Sequence, residues 1–212
     1  MQVLVVASQK GGVGKTTIAG HLGVMAESLD CGPVALVDTD PQASLAQWWN
    51  QRQVDTPLFA ALDIAQLQSH IKKLAKAGIK LTIIDTPPAV TATIRTVIGV
   101  ADLVLIPTRP SPHDLRAVGS TIDLAEEAGK RLVFVINGAA QRARITGEVA
   151  IALSQHGTVA PVTLYQRTDF AASMTDGRTV QELDPKSRSA TEVAELWKYV
   201  NTQLGKVAKN SR

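Results

Sequence analysis

The fold of this chain is decided by one stretch near its start, Ser8-Gln9-Lys10-Gly11-Gly12-Val13-Gly14-Lys15-Thr16-Thr17. The stretch follows an apolar run, Val3–Ala7, and leads into a segment with helical apolar spacing that begins at Ile18. A glycine-rich loop between a strand and a helix turns backbone N–H groups toward phosphates at the positive end of the helix dipole. In such a loop Lys15 is predicted to reach the outer phosphates, and the Thr16 hydroxyl to bind Mg²⁺.

Apolar runs of about five residues, rich in Val, Ile and Leu, recur along the chain without polar alternation, which is typical of strands buried on both faces of a parallel sheet. These predicted strands are Val3–Ala7, Val34–Val37, Leu81–Ile84, Leu103–Ile106 and Leu132–Ile136, with a further short strand at Val159–Leu164. Segments with helical spacing separate or follow them, at Thr16–Leu29, Ile64–Lys76, Asp114–Ala128 and Thr191–Leu204. The alternation predicts an α/β fold with a doubly wound, mostly parallel sheet flanked by helices, and ligands at the carboxyl ends of the strands.

Composition narrows the class of protein. The 212 residues include 22 basic and 19 acidic ones, and this net charge of +3 permits binding to a polyanion without requiring it. No apolar run approaches the roughly 20 residues of a membrane span, and no secretory apolar region precedes the first strand. The single cysteine, Cys31, excludes a disulfide framework within one chain. We therefore expect a cytoplasmic protein in which residues 1–212 form a single domain.

Two carboxylates follow the second predicted strand, in Val37-Asp38-Thr39-Asp40-Pro41-Gln42. Side chains at positions i and i+2 of an extended segment share a side, so Asp38 and Asp40 can face one site. At the turn toward the next helix, Asp40 can orient a water molecule or reach a metal. The same sequence also suits a turn that caps a helix, and both interpretations stay open from the residues alone.

A third acidic position ends the strand in Leu81-Thr82-Ile83-Ile84-Asp85-Thr86-Pro87-Pro88. An aspartate at this place beside a phosphate-loop strand is the usual outer ligand of a nucleotide's Mg²⁺, held through water. A helix cap is the alternative for Asp85. Further along, Asn137 ends the fifth apolar run; its amide suits the edge of adenine as well as a turn before Gly138.

The loop residues Lys10–Thr17 resemble the deviant Walker A box, K-G-G-x-G-K-T-T, of the ParA/MinD branch of P-loop ATPases. An ordinary P-loop would have glycine at Gln9, and it would not need Lys10. In that family the extra lysine crosses a dimer interface to contact the nucleotide of the partner subunit. The resemblance implies that ATP and Mg²⁺ are the cofactors, that Lys10 and Lys15 act in hydrolysis, and that the whole box binds the nucleotide. The nucleotide-binding residues of the box are Lys10, Gly11, Gly12, Val13, Gly14, Lys15, Thr16 and Thr17.

Two more boxes resemble the same family in the expected order. The segment around Asp40 looks like the Walker A′ box, which implies that Asp40 positions the attacking water, with Asp38 behind it. The segment ending at Asp85 looks like the Walker B box, and residues 86–88 look like its switch II. The implied metal-site residues are Thr16, Asp40 and Asp85.

The resemblance also implies contacts to the base. A proline-rich segment, Pro107-Thr108-Arg109-Pro110-Ser111-Pro112, resembles a loop that lies near the adenine in small ParA-type ATPases, although a rigid connector explains it equally well from the residues alone. Two later segments, residues 162–171 and 176–180, resemble part of the nucleotide pocket and its rim. The implied base-contacting residues are Pro110, Ser111, Pro112, Asn137, Arg167 and Asp169.

Taken together, the motifs resemble a small, ParF-like ParA-type ATPase, which has no N-terminal DNA-binding domain; the first strand begins too early to leave room for one. Such an ATPase hydrolyses ATP slowly, dimerises on ATP, binds DNA nonspecifically, and segregates plasmid or chromosome DNA with a ParB-like or other adaptor protein. A nucleoid-associated location in the cytoplasm follows from this. Basic residues near the C-terminus are candidates for the phosphate contacts: Lys186, Arg188, Lys198, Lys206, Lys209 and Arg212.

Other functions share some of these motifs. A MinD-like membrane-cycling regulator needs a basic amphipathic tail, and residues 205–212 offer only two apolar side chains, so no membrane binding is expected. A nitrogenase-reductase-like electron carrier needs two bridging cysteines per chain, and the single Cys31 does not supply them. A ParA-like positioner of a non-DNA cargo, or an accessory of conjugative DNA transfer, shares every motif and stays an alternative.

Overall fold

A parallel sheet of seven strands forms the centre of the computed structural model, which describes residues 1–88 and 92–210. Its strands are β1 (Gln2–Val6), β2 (Val34–Asp38), β3 (Leu58–Phe59), β4 (Leu81–Asp85), β5 (Leu103–Thr108), β6 (Arg131–Ala139) and β7 (Thr158–Tyr165). They lie in the order β3-β2-β4-β1-β5-β6-β7, and every neighbouring pair described is parallel. The predicted fold class is confirmed.

Helices cover both faces of this sheet. They are α1 (Lys15–Ser28), α2 (Ser44–Asn50), α3 (Leu67–Lys76), α4 (Ala92–Gly99), α5 (Pro112–Glu127), α6 (Arg144–Ser154), α7 (Thr168–Ser173), α8 (Val180–Leu183) and α9 (Arg188–Asn210). Buried side chains of α1, α2, α8 and α9 form one apolar core with one face of the sheet. Those of α3, α4, α5 and α6 form a second core with the other face. The sheet therefore has hydrophobic contacts on both sides, which explains why its strands read as continuous apolar runs.

The strand order sets the position of the site. Because β1 lies between β4 and β5, the loop after β1 emerges where successive connections leave for opposite sides of the sheet. The register pairs Val6 with Asp85 and Asp38 with Asp85, so the ends of β1, β2 and β4 are neighbours. The three sequence boxes therefore meet at one edge of the sheet.

The C-terminal helix differs from its prediction. Helix α9 extends from Arg188 to Asn210, so Lys206 and Lys209 lie on its last turns and not on a separate tail. At 1.5 Å per residue, Arg188 and Lys209 are about 32 Å apart along the helix. Four of the basic residues proposed from the sequence are thus spread along α9, while Lys186 precedes this helix and Arg212 lies outside the described residues. No described helix is long and apolar enough to cross a membrane.

Candidate functional site

The phosphate loop is built on two glycines in left-handed conformations, Gly12 at φ 74° and Gly14 at φ 90°. Gly14 is the N-cap of α1, and a Cβ added there would lie 2.3 Å from Nδ2 of Asn137. A side chain there would adopt a strained positive φ, and it would displace the Asn137 amide from its hydrogen bond to the carbonyl of Val13, so both factors favour glycine. At Gly12 an added Cβ would meet nothing within 4 Å, which shows that this part of the loop faces open space.

The two lysines of the loop have different surroundings. Lys15 is 7% exposed, and its Nζ donates a hydrogen bond to the carbonyl of Lys10 at 3.3 Å. Burial lowers the pKa of Lys15, and the charges of Asp85 and Asp40 act in the opposite direction. The side chain of Lys10 is exposed and forms no hydrogen bond or ion pair with the residues that the structure describes.

Thr16 and Asp85 are in direct contact beneath the loop. The Thr16 hydroxyl donates to Oδ2 of Asp85 at 2.6 Å, and Asp85 is 1% exposed. Burial raises the pKa of Asp85 to about 7, while the hydrogen bond from Thr16 lowers it. Thr39 and Thr86 tie the neighbouring strand ends together, because their hydroxyls donate to the carbonyls of Asp85 (2.7 Å) and Val6 (3.0 Å).

The hydroxyl of Thr16 and the carboxylate of Asp85 fit a Mg²⁺ ion that completes its shell elsewhere. Within residues 1–88 and 92–210 no group of three or more His, Cys, Asp or Glu side chains could hold a metal by itself. Mg²⁺ commonly binds through one or two protein oxygens together with nucleotide phosphates and water. The donor set present therefore suits a metal that arrives with a nucleotide.

The two aspartates after β2 have separate tasks in the structure. Asp38 Oδ2 accepts hydrogen bonds from the backbone N–H groups of Leu45 (2.9 Å) and Ala46 (3.1 Å), so Asp38 caps α2. Its Oδ1 accepts from the N–H of Asp40 at 2.9 Å. Asp40 is half-buried, and its Oδ1 accepts from the N–H of Gln42 at 2.9 Å. The helix-cap alternative thus describes Asp38, whereas Asp40 faces the cleft.

An open cleft of about 620 Å³ joins these residues to the ends of β6 and β7. Of the residues proposed from the sequence, it is lined by Gly11, Gly12, Gly14, Lys15, Thr16, Thr17, Asp40, Asn137 and Arg167. The cleft is also lined by Pro88 of the segment that resembles switch II, and by Tyr165, Gln166, Phe170 and Ala171 of the segment that resembles the pocket rim. The lining residues that were not predicted are Ser44, Trp48, Arg109, Gly138 and Met174. Its walls combine backbone amides, cations and aromatic rings, which suits a ligand with both phosphates and a flat base.

Three of the residues proposed to contact the base have hydrogen-bond or ion-pair partners within the chain. The Asn137 amide donates to the carbonyl of Val13 at 2.6 Å, so it fastens the phosphate loop to the end of β6. Asp169 accepts a hydrogen bond from Ser189 and does not line the cleft. Arg167 lines the cleft and forms an ion pair with Glu192 at 2.6 Å.

The proline-rich segment contributes one residue that was not proposed. Arg109 lines the cleft, whereas residues 110–112 do not. The Ser111 hydroxyl caps α5 by accepting from the N–H of Asp114 at 3.1 Å, and Pro112 takes the first helical position, where its missing N–H costs nothing. A basic side chain at a strand end was the available signal for Arg109. The base contacts of Pro110, Ser111 and Pro112 stay predictions.

Two further residues support the cleft from behind. The Trp48 ring lies at its edge; its Nε1 donates to the carbonyl of Arg178 at 3.1 Å, and the Arg52 guanidinium stacks 5.0 Å from its centroid. His21 on α1 is buried, with Nδ1 2.7 Å from the Thr17 carbonyl and Nε2 3.2 Å from the N–H of Val180. Burial lowers the pKa of His21 to about 4, so the ring is neutral and joins α1 to α8. Nothing in the sequence distinguishes either residue from an ordinary core aromatic.

Comparison with known proteins agrees with this geometry. The CobQ/CobB/MinD/ParA nucleotide binding domain matches residues 4–180 of the chain. A maintenance of carboxysome distribution protein A from Halothiobacillus neapolitanus is 30% identical over 200 residues, which cover 89% of this chain and 91% of the relative. Protein ParA from Rhizobium radiobacter is 31% identical over 198 residues, or 88% of each chain.

The fold also matches a solved structure. The septum site-determining protein MinD from Pyrococcus horikoshii, complexed with Mg-ADP, superposes with a TM-score of 0.80 over 98% of this chain and 99% of its own. The two sequences are 18% identical, so this match shows the shared fold.

Proposed function

The chain belongs to the CobQ/CobB/MinD/ParA family of nucleotide-binding domains, whose MinD and ParA members are P-loop ATPases, and from this premise we propose that it is an ATP-driven dimer switch. In this proposal ATP joins two copies of the chain, and the dimer binds duplex DNA without sequence preference. A ParB-like or other adaptor stimulates hydrolysis, which releases the DNA and resets the switch. The cargo is plasmid or chromosome DNA.

The contrast within the phosphate loop is the observation that carries this proposal. Lys15 is buried and held by its own chain, as a lysine that binds phosphates within one protomer should be. Lys10 is exposed and has no partner among the described residues, although it stands beside the cleft-lining Gly11. A lysine kept at the mouth of a phosphate site supports a role toward a second protomer.

The chemistry proposed is in-line attack of water on the outer phosphate. Bound Mg²⁺ would neutralise charge on the phosphates. Lys15 and the loop amides bind and orient them, and Lys10 from the partner copy adds a second cation. Asp40 holds the attacking water, while Thr16 and Asp85 provide the oxygens of the metal site. These roles require little conformational rearrangement of the inner site, because the Thr16–Asp85 contact and the loop conformation are already present.

A protein cargo is the second candidate. The similarity to a carboxysome distribution protein covers as much of the chain as the similarity to ParA, so positioning of a protein assembly has comparable support. Deletion of the gene separates the two: loss of a plasmid or chromosome copy at division supports partition. Faithful inheritance of DNA with a clustered protein assembly supports the second candidate.

The test of the switch is DNA binding measured with ATP, with ADP and without nucleotide, each at two salt concentrations. The expected result is binding with ATP that weakens steeply with salt, and binding at least roughly tenfold weaker in the other two states. Equal binding in all three states, or none in any, would refute the proposal.

A further inference from the structure

Four lysines lie close together in the sequence, outside the nucleotide site. Between Asp63 and Asp85 the sequence has no acidic residue and four lysines, which we call the α3 lysine surface: Lys72, Lys73, Lys76 and Lys80. A local group of like charges directs a polyanion to a defined position.

Lys72, Lys73 and Lys76 lie on α3, a surface helix, and Lys80 lies directly before β4. All four are exposed, and none of them forms an ion pair with the residues that the structure describes. On the opposite side of α3, Leu67 is 1% exposed and Ile71 packs against the core. The lysines therefore project from an element whose position is fixed by hydrophobic contacts, so little is lost in ordering the backbone when they bind.

The surface lies at the edge of the sheet opposite the phosphate loop. The Lys80 carbonyl accepts from the N–H of Gln2 at 2.8 Å, and its N–H donates to the carbonyl of Pro33 at 2.9 Å, so Lys80 is held where β1, β2 and β4 begin. Strand β4 separates it from Asp85, a distance of about 16 Å at 3.3 Å per residue. A ligand on this surface leaves the nucleotide cleft open.

Three acidic groups at the same edge form no ion pair with the lysines among the described residues. Glu27 accepts a hydrogen bond from the N–H of Val34 at 2.6 Å, and Asp102 accepts from the N–H of Val3 at 2.7 Å. Asp30 is exposed. The four lysine charges are therefore free of ion pairs within the described residues, which suits a polyanionic ligand.

From this arrangement we infer that the α3 lysine surface binds the phosphate backbone of duplex DNA. An anionic membrane fits less well, since peripheral membrane helices insert large apolar side chains, and Leu67 and Ile71 of α3 pack against the core instead. This inference rests on the proposed function and moves its DNA contacts from the C-terminal helix to α3. Because the surface is remote from the nucleotide, the ATP dependence of DNA binding comes from joining two such surfaces in one dimer, which raises avidity on long DNA.

The test compares two variants with the same loss of charge. In the first, Lys72, Lys73, Lys76 and Lys80 become Gln; in the second, Lys186, Lys198, Lys206 and Lys209 become Gln. All eight positions are exposed, so both variants should keep the wild-type thermal unfolding transition and basal ATPase rate. The probes are a 60-bp duplex of arbitrary sequence and phosphatidylserine vesicles, both with ATP.

The expected result is at least a roughly 100-fold loss of DNA affinity for the first variant, with a salt slope reduced by about 0.9 per lost phosphate contact. The DNA affinity of the second variant should stay within about threefold of that of wild type. Wild type and both variants should all fail to bind the vesicles. Equal DNA binding by the first variant and wild type, or loss confined to the second, would overturn this inference while leaving the switch intact. Vesicle binding that depends on the four lysines would also overturn it. No DNA binding by wild type in any nucleotide state would instead remove the proposed function itself.

Discussion

The inner and outer parts of the candidate nucleotide site differ in how the chain holds them. The inner part, Lys15, Thr16 and Asp85, is buried or half-buried and joined by hydrogen bonds within the protomer. In the outer part, Lys10 is exposed, and Asp40 is half-buried with only Oδ1 bonded to the next turn. The inner groups are already held in place and can bind a nucleotide directly. The outer groups gain partners only when the attacking water or a second protomer is present. We therefore expect the inner part to set affinity and the outer part to set turnover.

The largest effect is expected from Asp40→Ala. Losing the residue that orients the attacking water should lower kcat by about 10²- to 10⁴-fold, while the affinity for ATP stays within a few-fold. Steady-state phosphate release and the fluorescence of a labelled ATP analogue measure the two quantities. Asp38→Asn is the matched control: it weakens the cap of α2 and should cost about 1 kcal/mol of stability with little change in kcat. If Asp40→Ala lowered the ATP affinity as much as it lowered kcat, the inner and outer parts would not have separate roles.

Lys15→Ala should act on binding instead. It removes a cation from the phosphate site, and hydrogen bonds to charged groups contribute about 1.5–3 kcal/mol, so ATP affinity should fall roughly 10- to 150-fold. Calorimetric titration with ATP and with adenosine checks this. Adenosine, which lacks phosphates, should bind the variant and wild type alike; a matching loss of adenosine binding would mean that the cleft itself had been disturbed.

A smaller effect is expected from Thr16→Val. The substitution leaves the buried Asp85 carboxylate without its 2.6 Å hydrogen bond and should cost about 1–3 kcal/mol in unfolding free energy at pH 7 without nucleotide. Urea unfolding measures it. Thr16→Ser keeps the hydroxyl and should recover most of the loss, and Thr17→Val should have little effect. If Thr16→Ser is as unstable as Thr16→Val, packing and not the hydroxyl explains the change.

The smallest effect concerns His21, which joins the inner helix α1 to α8. Its folded pKa of about 4 lies below the ordinary 6.5, so between these values the unfolded chain binds more protons and stability falls as pH falls. The slope from this group approaches about 1.4 kcal/mol per pH unit. Unfolding free energies of wild type, His21→Gln and the exposed control His156→Gln at pH 6.5, 5.5 and 4.5 test it. His21→Gln should lose that part of the slope; an unchanged slope would assign the pH dependence to other groups.

What the sequence could and could not predict follows from the range of the interactions involved. Strands β1, β2, β4, β5 and β6 were predicted because burial on both faces leaves a continuous apolar run. Strand β3 is only Leu58–Phe59 and has no such run. Helix α2 is seven residues long, with too few turns to show a periodicity.

The site shows the same limit. The phosphate loop and the aspartates were proposed from local spacing, because backbone geometry makes that spacing work. The Asn137–Val13 contact spans 124 positions of sequence, and the Trp48–Arg178 contact spans 130. Such pairs depend on the order of strands and helices in space. No local pattern carries that information, which is why neither contact could be predicted from the sequence.

The central claim is that Lys10 acts between protomers, and the mass of the ATP-bound protein tests it most directly. Light scattering after gel filtration with ATP compares Asp40→Ala with the double variants Lys10→Ala/Asp40→Ala and Lys198→Ala/Asp40→Ala, so that hydrolysis does not consume the ligand. We expect a dimer for the first and third, and the 22.5 kDa monomer with ATP still bound for the second. A dimer that forms equally well without Lys10 would contradict it.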